Sequence, residues 1–219
     1  MTIKHISFDV WNTLITANPE YTSARSAAIA TIAGITKEQA AEAYTTVKKK
    51  LDTEAEELCC GDVNHAWDTL GLHLGISEEK TRQMQRLCED LFHVMPPHME
   101  EDLIGHLMVL GWNYEVSIKS NTNFISGRIL SSVMGFDRMP WFSFTHFSDH
   151  WRMCKPDVLF FAQTLLCSSD QELAAEEVLH IGDSKTFDGG CVDIGFNFCH
   201  IKNPQDLLEK LNKGEIINA

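Results

Sequence analysis

Segments typical of strands and of helices alternate along the second half of the chain. Helices are predicted at about residues 99–110, 125–134 and 157–166, the first two closed by Gly111 and Gly135, with a short one after Asp188. Strands are predicted between them, at about residues 114–119, 141–144, 178–182 and 197–201. Strands joined by helices at this spacing form parallel sheets through right-handed crossovers. The sequence therefore predicts an α/β fold with a doubly wound parallel sheet.

One more strand is predicted near the N-terminus, and only helical patterns separate it from the alternating part. Residues 4–9 form an apolar run that stops at Asp9. Three helix-start signals follow: a capping box at residues 36–39, and N-cap residues at Asp62 and Ser77. Pro96 and Pro97 end this block because neither can continue a helix. We predict a core domain of residues 1–15 and 96–219 and an inserted α-helical cap domain of residues 16–95.

The overall charge and hydropathy limit the partners of the chain. Its 219 residues carry a formal net charge of −13, which repels nucleic acid and anionic membranes. No apolar stretch approaches the roughly 20 residues of a membrane helix, and the sequence starts with a strand and not with a signal peptide. We expect a cytoplasmic protein, a monomer or a homodimer, that binds a small molecule and neither nucleic acid nor membrane.

The cysteines and a histidine pair do not indicate a metal site. Seven cysteines are scattered without a Cys-x-x-Cys pair, so neither disulfides nor a zinc site is expected, and the adjacent Cys59 and Cys60 are interpreted as ordinary thiols. His146, Asp149 and His150 fall in a predicted solvated loop.

Polar residues with catalytic potential lie where the predicted strands end. Asp9, Ser120 and Asp183 each lie at or just after the end of a strand, and Lys155 and Asp188 lie near the starts of helices. Parallel sheets bind their ligands at the carboxyl ends of the strands. We therefore expect these positions, far apart in sequence, to converge on one site beneath the helical insertion.

Four motifs at these positions resemble those of the haloacid dehalogenase (HAD) superfamily with a helical cap of the C1 type. They lie at residues 8–13, 117–122, 155–157 and 180–188, in the order that this superfamily has, and together span nearly the whole chain. The resemblance implies that Asp9 is the nucleophile, with Ser120 and Lys155 as further catalytic residues. It implies these substrate-binding residues: Trp11, Thr13, Ser120, Asn121 and Lys155.

The same resemblance implies a magnesium ion as cofactor. Asp9, Asp183 and Asp188 supply the hard oxygen donors that Mg²⁺ prefers. The superfamily pattern adds the main-chain carbonyl of Trp11 as a metal ligand. The implied activity is magnesium-dependent hydrolysis of a small phosphorylated metabolite through an aspartyl-phosphate intermediate.

The sequence departs from the phosphatase pattern at Trp11. Phosphatases of the superfamily usually carry there a second aspartate that protonates the leaving alcohol, whereas indole cannot act as an acid or base. Loss of such a group typically costs about 10²- to 10⁴-fold in rate. The expected consequence is either a substrate whose leaving group needs little protonation, such as an acyl phosphate or a phenyl-type ester, or a substitute acid. His65 and His73 in the predicted cap are candidates, although an ordinary surface or core histidine is the simpler interpretation.

Two other functions remain open. Dehalogenases of the superfamily have an aromatic residue at the Trp11 position and release a halide, which needs no proton, so a small halogenated substrate is an alternative. The Asp183 to Asp188 segment resembles the magnesium-binding form of the phosphatases and places this alternative second. The third interpretation is a catalytically weakened module that binds magnesium and phosphate in a regulatory role.

Overall fold

A five-stranded, all-parallel sheet forms the centre of the molecule. The structure is a computed structural model that describes residues 2–58 and 60–216. The strands are β1 (His5–Phe8), β2 (Glu115–Ser120), β3 (Phe142–Phe147), β4 (Val178–Gly182) and β5 (Asn197–His200). They lie in the order β3-β2-β1-β4-β5, so β1 has β2 and β4 as neighbours. The predicted α/β fold with a doubly wound parallel sheet is confirmed.

Helices occupy both faces of the sheet and the long segment between β1 and β2. Four helices follow β1 directly in the chain: α1 (Pro19–Ala33), α2 (Lys37–Glu56), α3 (Val63–Leu74) and α4 (Glu78–Val94). The others are α5 (Glu101–Asn113), α6 (Gly127–Met134), α7 (Ser148–Trp151), α8 (Val158–Cys167) and α9 (Pro204–Lys213). No helix in the described part of the chain is both long enough and apolar enough to span a bilayer.

Local capping signals position the four helices α1 to α4, which we call the helical insertion. Thr36 and Gln39 form the predicted capping box, and the side chains of Asp62 and Ser77 cap α3 and α4 as expected. These helices share an apolar core that includes the buried Trp67, whose Nε1 donates to the carbonyl of Phe124, 2.9 Å away. That bond ties the insertion to the segment after β2. The boundaries 1–15, 96–219 and 16–95 stay a prediction.

The two faces of the sheet differ in polarity although both are buried. Ile6, Phe8 and their neighbours on β2 and β4 form the apolar face, which packs on α5, α6 and α9. His5 and Ser7 point to the opposite face, and Ser7 lies beside Ser117 and His180 in the register. This face is covered by α8 and is also fully closed to solvent. The sheet therefore holds a buried polar layer that leads to the site.

Two local predictions were wrong, and three helices were missed. The helix predicted to close at Gly111 continues to Asn113, because Gly111 packs closely on Trp141 inside α5. Strand β3 extends to Phe147 through its pairing with β2, so His146 is buried in the sheet and not in a solvated loop. Helices α1, α7 and α9 were not assigned from the sequence.

Candidate active site

Three carboxylates meet at the carboxyl ends of the central strands. Asp9 follows β1, Asp183 follows β4, and Asp188 opens a short 3₁₀ helix. One oxygen from each lies within 4.8 Å of the others. The amide of Asp9 donates to the carbonyl of Ile181 at 2.9 Å, which fixes the end of β1 against β4. The predicted convergence of these three residues is observed.

Lys155 lies between two of the carboxylates. Its Nζ is 2.5 Å from Oδ1 of Asp9 and 2.5 Å from Oδ1 of Asp188, and all three side chains are buried. Asn121 holds the main chain of Lys155 through two bonds: its Nδ2 donates to the Lys155 carbonyl at 2.9 Å, and its Oδ1 accepts from the Lys155 amide at 2.8 Å. The end of β2 thus positions the lysine.

Asp188 is held by further contacts from β4 and the loop after it. His180 Nε2 lies 3.0 Å from Oδ1, and the Ser184 amide donates to Oδ2 at 2.9 Å. The other ring nitrogen of His180 lies 2.7 Å from Ser7 Oγ, which fixes the imidazole. A Cβ on Gly182 would lie 2.2 Å from Asp188 Cγ, so only glycine leaves this carboxylate its place.

The two carboxylates that contact Lys155 differ in pKa, one raised and the other lowered. Burial raises the pKa of Asp9 to about 7, against the opposing charge of Lys155. Burial also disfavours the charged form of Asp188, but Lys155 and His180 outweigh this and hold the pKa of Asp188 below its ordinary value. Burial lowers the pKa of Lys155, yet Asp188 and Asp9 raise it further, so the lysine is charged.

The carboxylate cluster fits a magnesium ion. Asp9, Asp183 and Asp188 offer hard oxygen donors that lie within 4.8 Å of one another, and Mg²⁺ in proteins is bound by one or more carboxylates and waters. Asp183 is half-buried, and its Oδ2 accepts from Asn12 Nδ2 at 3.2 Å. Burial raises the pKa of Asp183, as expected for a carboxylate beside other acids and short of positive charge.

Two of the predicted substrate-binding residues point away from open space. Thr13 is fully buried, and its hydroxyl donates to Asp9 Oδ2 at 3.3 Å. Ser120 is also fully buried, and its hydroxyl donates to the carbonyl of Asn121 at 3.4 Å. Trp11, Asn121 and Lys155 border the cavity described next.

A cavity of about 540 Å³ lies between the sheet edge and the helical insertion. Asp9, Asp183, Asp188 and Lys155 border it, together with side chains from α1 and α2. A pocket of this size suits a small molecule. The insertion thus takes part in forming the space above the carboxylate cluster.

Only some of the residues considered for the role of general acid border the cavity. Trp11 borders the cavity and packs on Phe92, with ring centroids 6.4 Å apart. His65 also borders it, with Nε2 2.9 Å from Glu54 Oε2. His73 is exposed on α3 and is not among the cavity residues. Of the two histidines, only His65 lies where a substrate could reach it.

A disulfide corrects the expectation for the cysteines. Cys60, in the segment after α2, is joined to Cys154, which directly precedes Lys155, with Cα atoms 6.0 Å apart. The two are 94 residues apart in sequence, so no local spacing could indicate the pair. Cys59 lies outside the described residues.

Sequence reasoning assigned no role to two residues that contact the site. His180 belongs to a quoted motif, but its contact with Asp188 depends on how the chain folds back after β4, and its contact with Ser7 depends on the pairing of β4 with β1. The signal that could have identified His180 was its position on β4, on the strand face that it shares with Ser7 of β1. Arg25, on α1, borders the cavity, and the sequence around it has no recognisable pattern.

Solved structures share the fold over nearly the whole chain, whereas no protein-family model and no curated protein matches the sequence. The HAD-hydrolase YfnB from Bacillus subtilis, bound to magnesium, is 19% identical with a TM-score of 0.72, covering 97% of this chain and 100% of YfnB. A HAD phosphatase from Thermococcus onnurineus is 18% identical, with a TM-score of 0.68 and coverage of 98% and 100%. The 2-haloacid dehalogenase from Pseudomonas syringae pv. Tomato DC3000 is 17% identical, with a TM-score of 0.65 and coverage of 97% and 100%.

Phosphatases and dehalogenases therefore occur among structures with this architecture. The likeness covers the sheet, the helices around it and the helical insertion alike, since almost every residue of the chain is included. The chain has the fold of the haloacid dehalogenase superfamily, as the four motifs predicted.

Proposed function

We propose that the protein is a magnesium-dependent hydrolase of a small phosphorylated metabolite that reacts through an aspartyl-phosphate on Asp9. The observation that carries this proposal is the close cluster of Asp9, Asp183 and Asp188, which lies beside a buried lysine and borders a cavity. The magnesium-bound relative of the same fold supports the choice of metal.

Asp9 is the proposed nucleophile because it ends the central strand and faces the cavity. In the first step, a carboxylate oxygen of Asp9 forms a bond to phosphorus while the bond from phosphorus to the leaving oxygen breaks. The leaving oxygen takes the electron pair of that bond. Water then attacks the phosphorus of the aspartyl-phosphate, releases inorganic phosphate and restores Asp9. Lys155 holds Asp9 in place and balances its charge through the ion pair at 2.5 Å.

The metal would be held by Asp9, Asp183, Asp188 and, as the superfamily pattern implies, the main-chain carbonyl of Trp11. Bound there, Mg²⁺ neutralises the repulsion between the nucleophile and the phosphoryl group. His180 and Ser184 keep Asp188 oriented for this task through their bonds to its two oxygens. Thr13 does the same for Asp9.

The leaving group in the proposed reaction needs little protonation. Trp11 borders the cavity at the position where phosphatases carry their acid, and an indole cannot supply a proton. Acyl phosphates and aryl phosphates release groups that are stable as anions. We propose substrates of this kind and propose that the helical insertion acts as a cap that excludes water while they react.

Dehalogenation is the second candidate, favoured by one observation: the aromatic Trp11 borders the cavity together with Asp9. Halide leaves without a proton. The three-carboxylate cluster ranks this reaction second, because hydrolysis of a carbon–halogen bond has no need of a divalent metal.

A turnover assay tests both candidates. Acetyl phosphate, p-nitrophenyl phosphate and 2-chloropropionate are each supplied with magnesium and with EDTA. Phosphate release that needs magnesium and is lost in Asp9→Asn is expected, while Asp90→Asn, an exposed change on α4 away from the cavity, serves as the control. Undiminished phosphate release by Asp9→Asn contradicts the proposal, and halide release that ignores EDTA replaces it with dehalogenation.

A further inference from the structure

One cation on the cavity wall formed by the helical insertion has no acidic partner. The other charged side chains of the insertion that border the cavity are held in ion pairs: Lys48 with Asp52, His65 with Glu54, and Asp62 with Arg152. Arg25, on α1, borders the same cavity, and no carboxylate of the described residues forms an ion pair with it. Its positive charge is therefore not balanced by a neighbouring side chain.

The guanidinium of Arg25 is fixed by two aromatic rings. Its Cζ lies 3.6 Å from the centroid of the Tyr44 ring and 5.5 Å from that of Tyr21. Its Nε is buried and has no hydrogen-bond partner among the described residues. A planar donor group stacked on an aromatic ring loses little further freedom on binding an anion.

We propose that Arg25 binds a second anionic group of the substrate, a carboxylate or a second phosphate, while the phosphoryl group lies at Asp9. This inference rests on the proposed function and narrows it to small phosphates that also carry an acid group. Both anions present oxygens that match the fork of a guanidinium. Arg25 and Lys155 both border the cavity of about 540 Å³, which suits a small molecule that carries two anionic groups.

The local cations are needed because the chain as a whole repels anions. Its net charge is −13, and three carboxylates lie at the reaction site. A substrate with two anionic groups is therefore held only where a positive side chain faces each of them. The proposed magnesium ion, together with Lys155, would offset the carboxylates where the phosphoryl group lies, and Arg25 would supply the positive charge for the second anion.

Three aryl phosphates test the inference. The substrates are 4-carboxyphenyl phosphate, 4-carbamoylphenyl phosphate, which replaces the charged group by a neutral amide, and 1,4-phenylene bisphosphate. We expect Arg25→Gln to lower the ratio of kcat/KM for the carboxylate over the amide by about 10- to 100-fold, mainly through KM. Comparing the ratio between variants cancels differences in the leaving groups. Lys48→Gln, which removes a cation of the same cavity that is already paired, is expected to leave the ratio within about threefold.

A binding measurement separates this inference from the proposed function. Calorimetry with 4-(phosphonomethyl)benzoate and its amide, which cannot be hydrolysed, is carried out on wild type and Arg25→Gln in magnesium. If wild type releases no phosphate but prefers the carboxylate in calorimetry, and Arg25→Gln loses that preference, the inference stands and the proposed function fails. Equal preference in both proteins, or no binding by either, overturns the inference for a carboxylate. If Arg25→Gln then lowers kcat/KM for 1,4-phenylene bisphosphate relative to the amide, the second group is assigned as phosphate; if this ratio is also unchanged, the whole inference is overturned.

Discussion

Nζ of Lys155 lies 2.5 Å from Oδ1 of Asp9, although 146 residues separate the two in the chain. The same nitrogen contacts Asp188, so one buried cation balances two buried carboxylates. Isolated charges of this kind are costly to bury, and each of the three depends on the others. The cluster is thus both the proposed catalytic centre and a part of the structure that folding has to assemble.

Removal of the cation is expected to destabilise the protein. Lys155→Met leaves Asp9 and Asp188 buried without their partner, and breaking a buried pair typically costs about 3–5 kcal/mol. Magnesium is expected to restore part of this loss, since it binds the same carboxylates. Urea unfolding with and without magnesium gives the free energies, and Lys4→Met, which removes an exposed cation, is the control with a much smaller effect. A loss below about 1 kcal/mol for Lys155→Met, as for exposed pairs, contradicts the account.

His180 is expected to act on magnesium affinity through Asp188. His180→Phe removes the contact at 3.0 Å and also deprives Ser7 of its partner, with an expected loss of about 1–3 kcal/mol in stability. Loss of such an orienting contact typically weakens metal binding by about 10- to 100-fold. His5→Phe removes a comparable bond, from His5 to Ser117, away from the cluster, and is the matched control. Magnesium titrations of the melting temperature test this, and equal titrations of both variants would refute it.

Gly182 is expected to tolerate no side chain. In Gly182→Ala the new Cβ would lie 2.2 Å from Asp188 Cγ, so Asp188 has to leave its position. Overpacking of this kind costs about 1–3 kcal/mol, and we expect magnesium-dependent turnover to fall with it. Gly105→Ala, on the exposed side of α5 with open space around the new atom, is expected to stabilise by up to about 1 kcal/mol. Full activity of Gly182→Ala is the outcome that the structure does not allow.

Lys119 is expected to make stability depend on pH in the alkaline range. It is buried, donates to Phe160 and contacts His146, and burial lowers its pKa from 10.5 to about 7. Between these two values the unfolded chain binds the proton that the folded protein has released. The free energy of unfolding of wild type, relative to Lys119→Met, therefore rises with pH from about 7 to 10, by at most about 1.4 kcal/mol per pH unit. Urea titrations across this range measure it, and parallel pH curves would show that Lys119 stays charged.

Local signals in the sequence predicted much of the fold. Thr36, Asp62 and Ser77 cap helices as expected because a cap depends on residues three positions away. The extension of β3 to Phe147 was missed because it depends on pairing with β2, which is distant in sequence. The hydrogen bonds between His5 and Ser117 and between Ser7 and His180 were not predicted, since they depend on pairing between strands that are distant in sequence.

The residues of the site also fall into those with a local sequence signal and those whose role depends on three-dimensional packing. Asp9, Asp183 and Lys155 were recognisable because each belongs to a motif at a strand end or a helix start, and parallel topology brings strand ends together. The burial of the Ser120 hydroxyl and the bond between Cys60 and Cys154 depend on three-dimensional packing. The same is true of Arg25, whose lack of an acidic partner is visible only once the ion pairs of its neighbours are known.

Trapping of the phosphorylated enzyme tests the central claim most directly. Wild type is mixed with acetyl phosphate and magnesium, quenched in acid within the first turnover, and analysed by intact-protein and peptide mass spectrometry. The account predicts one added phosphoryl group on the peptide that contains Asp9, absent in Asp9→Asn and in samples with EDTA. Phosphate release by wild type with no phosphorylated Asp9 at any quench time, or with the phosphoryl group on another residue, would contradict it.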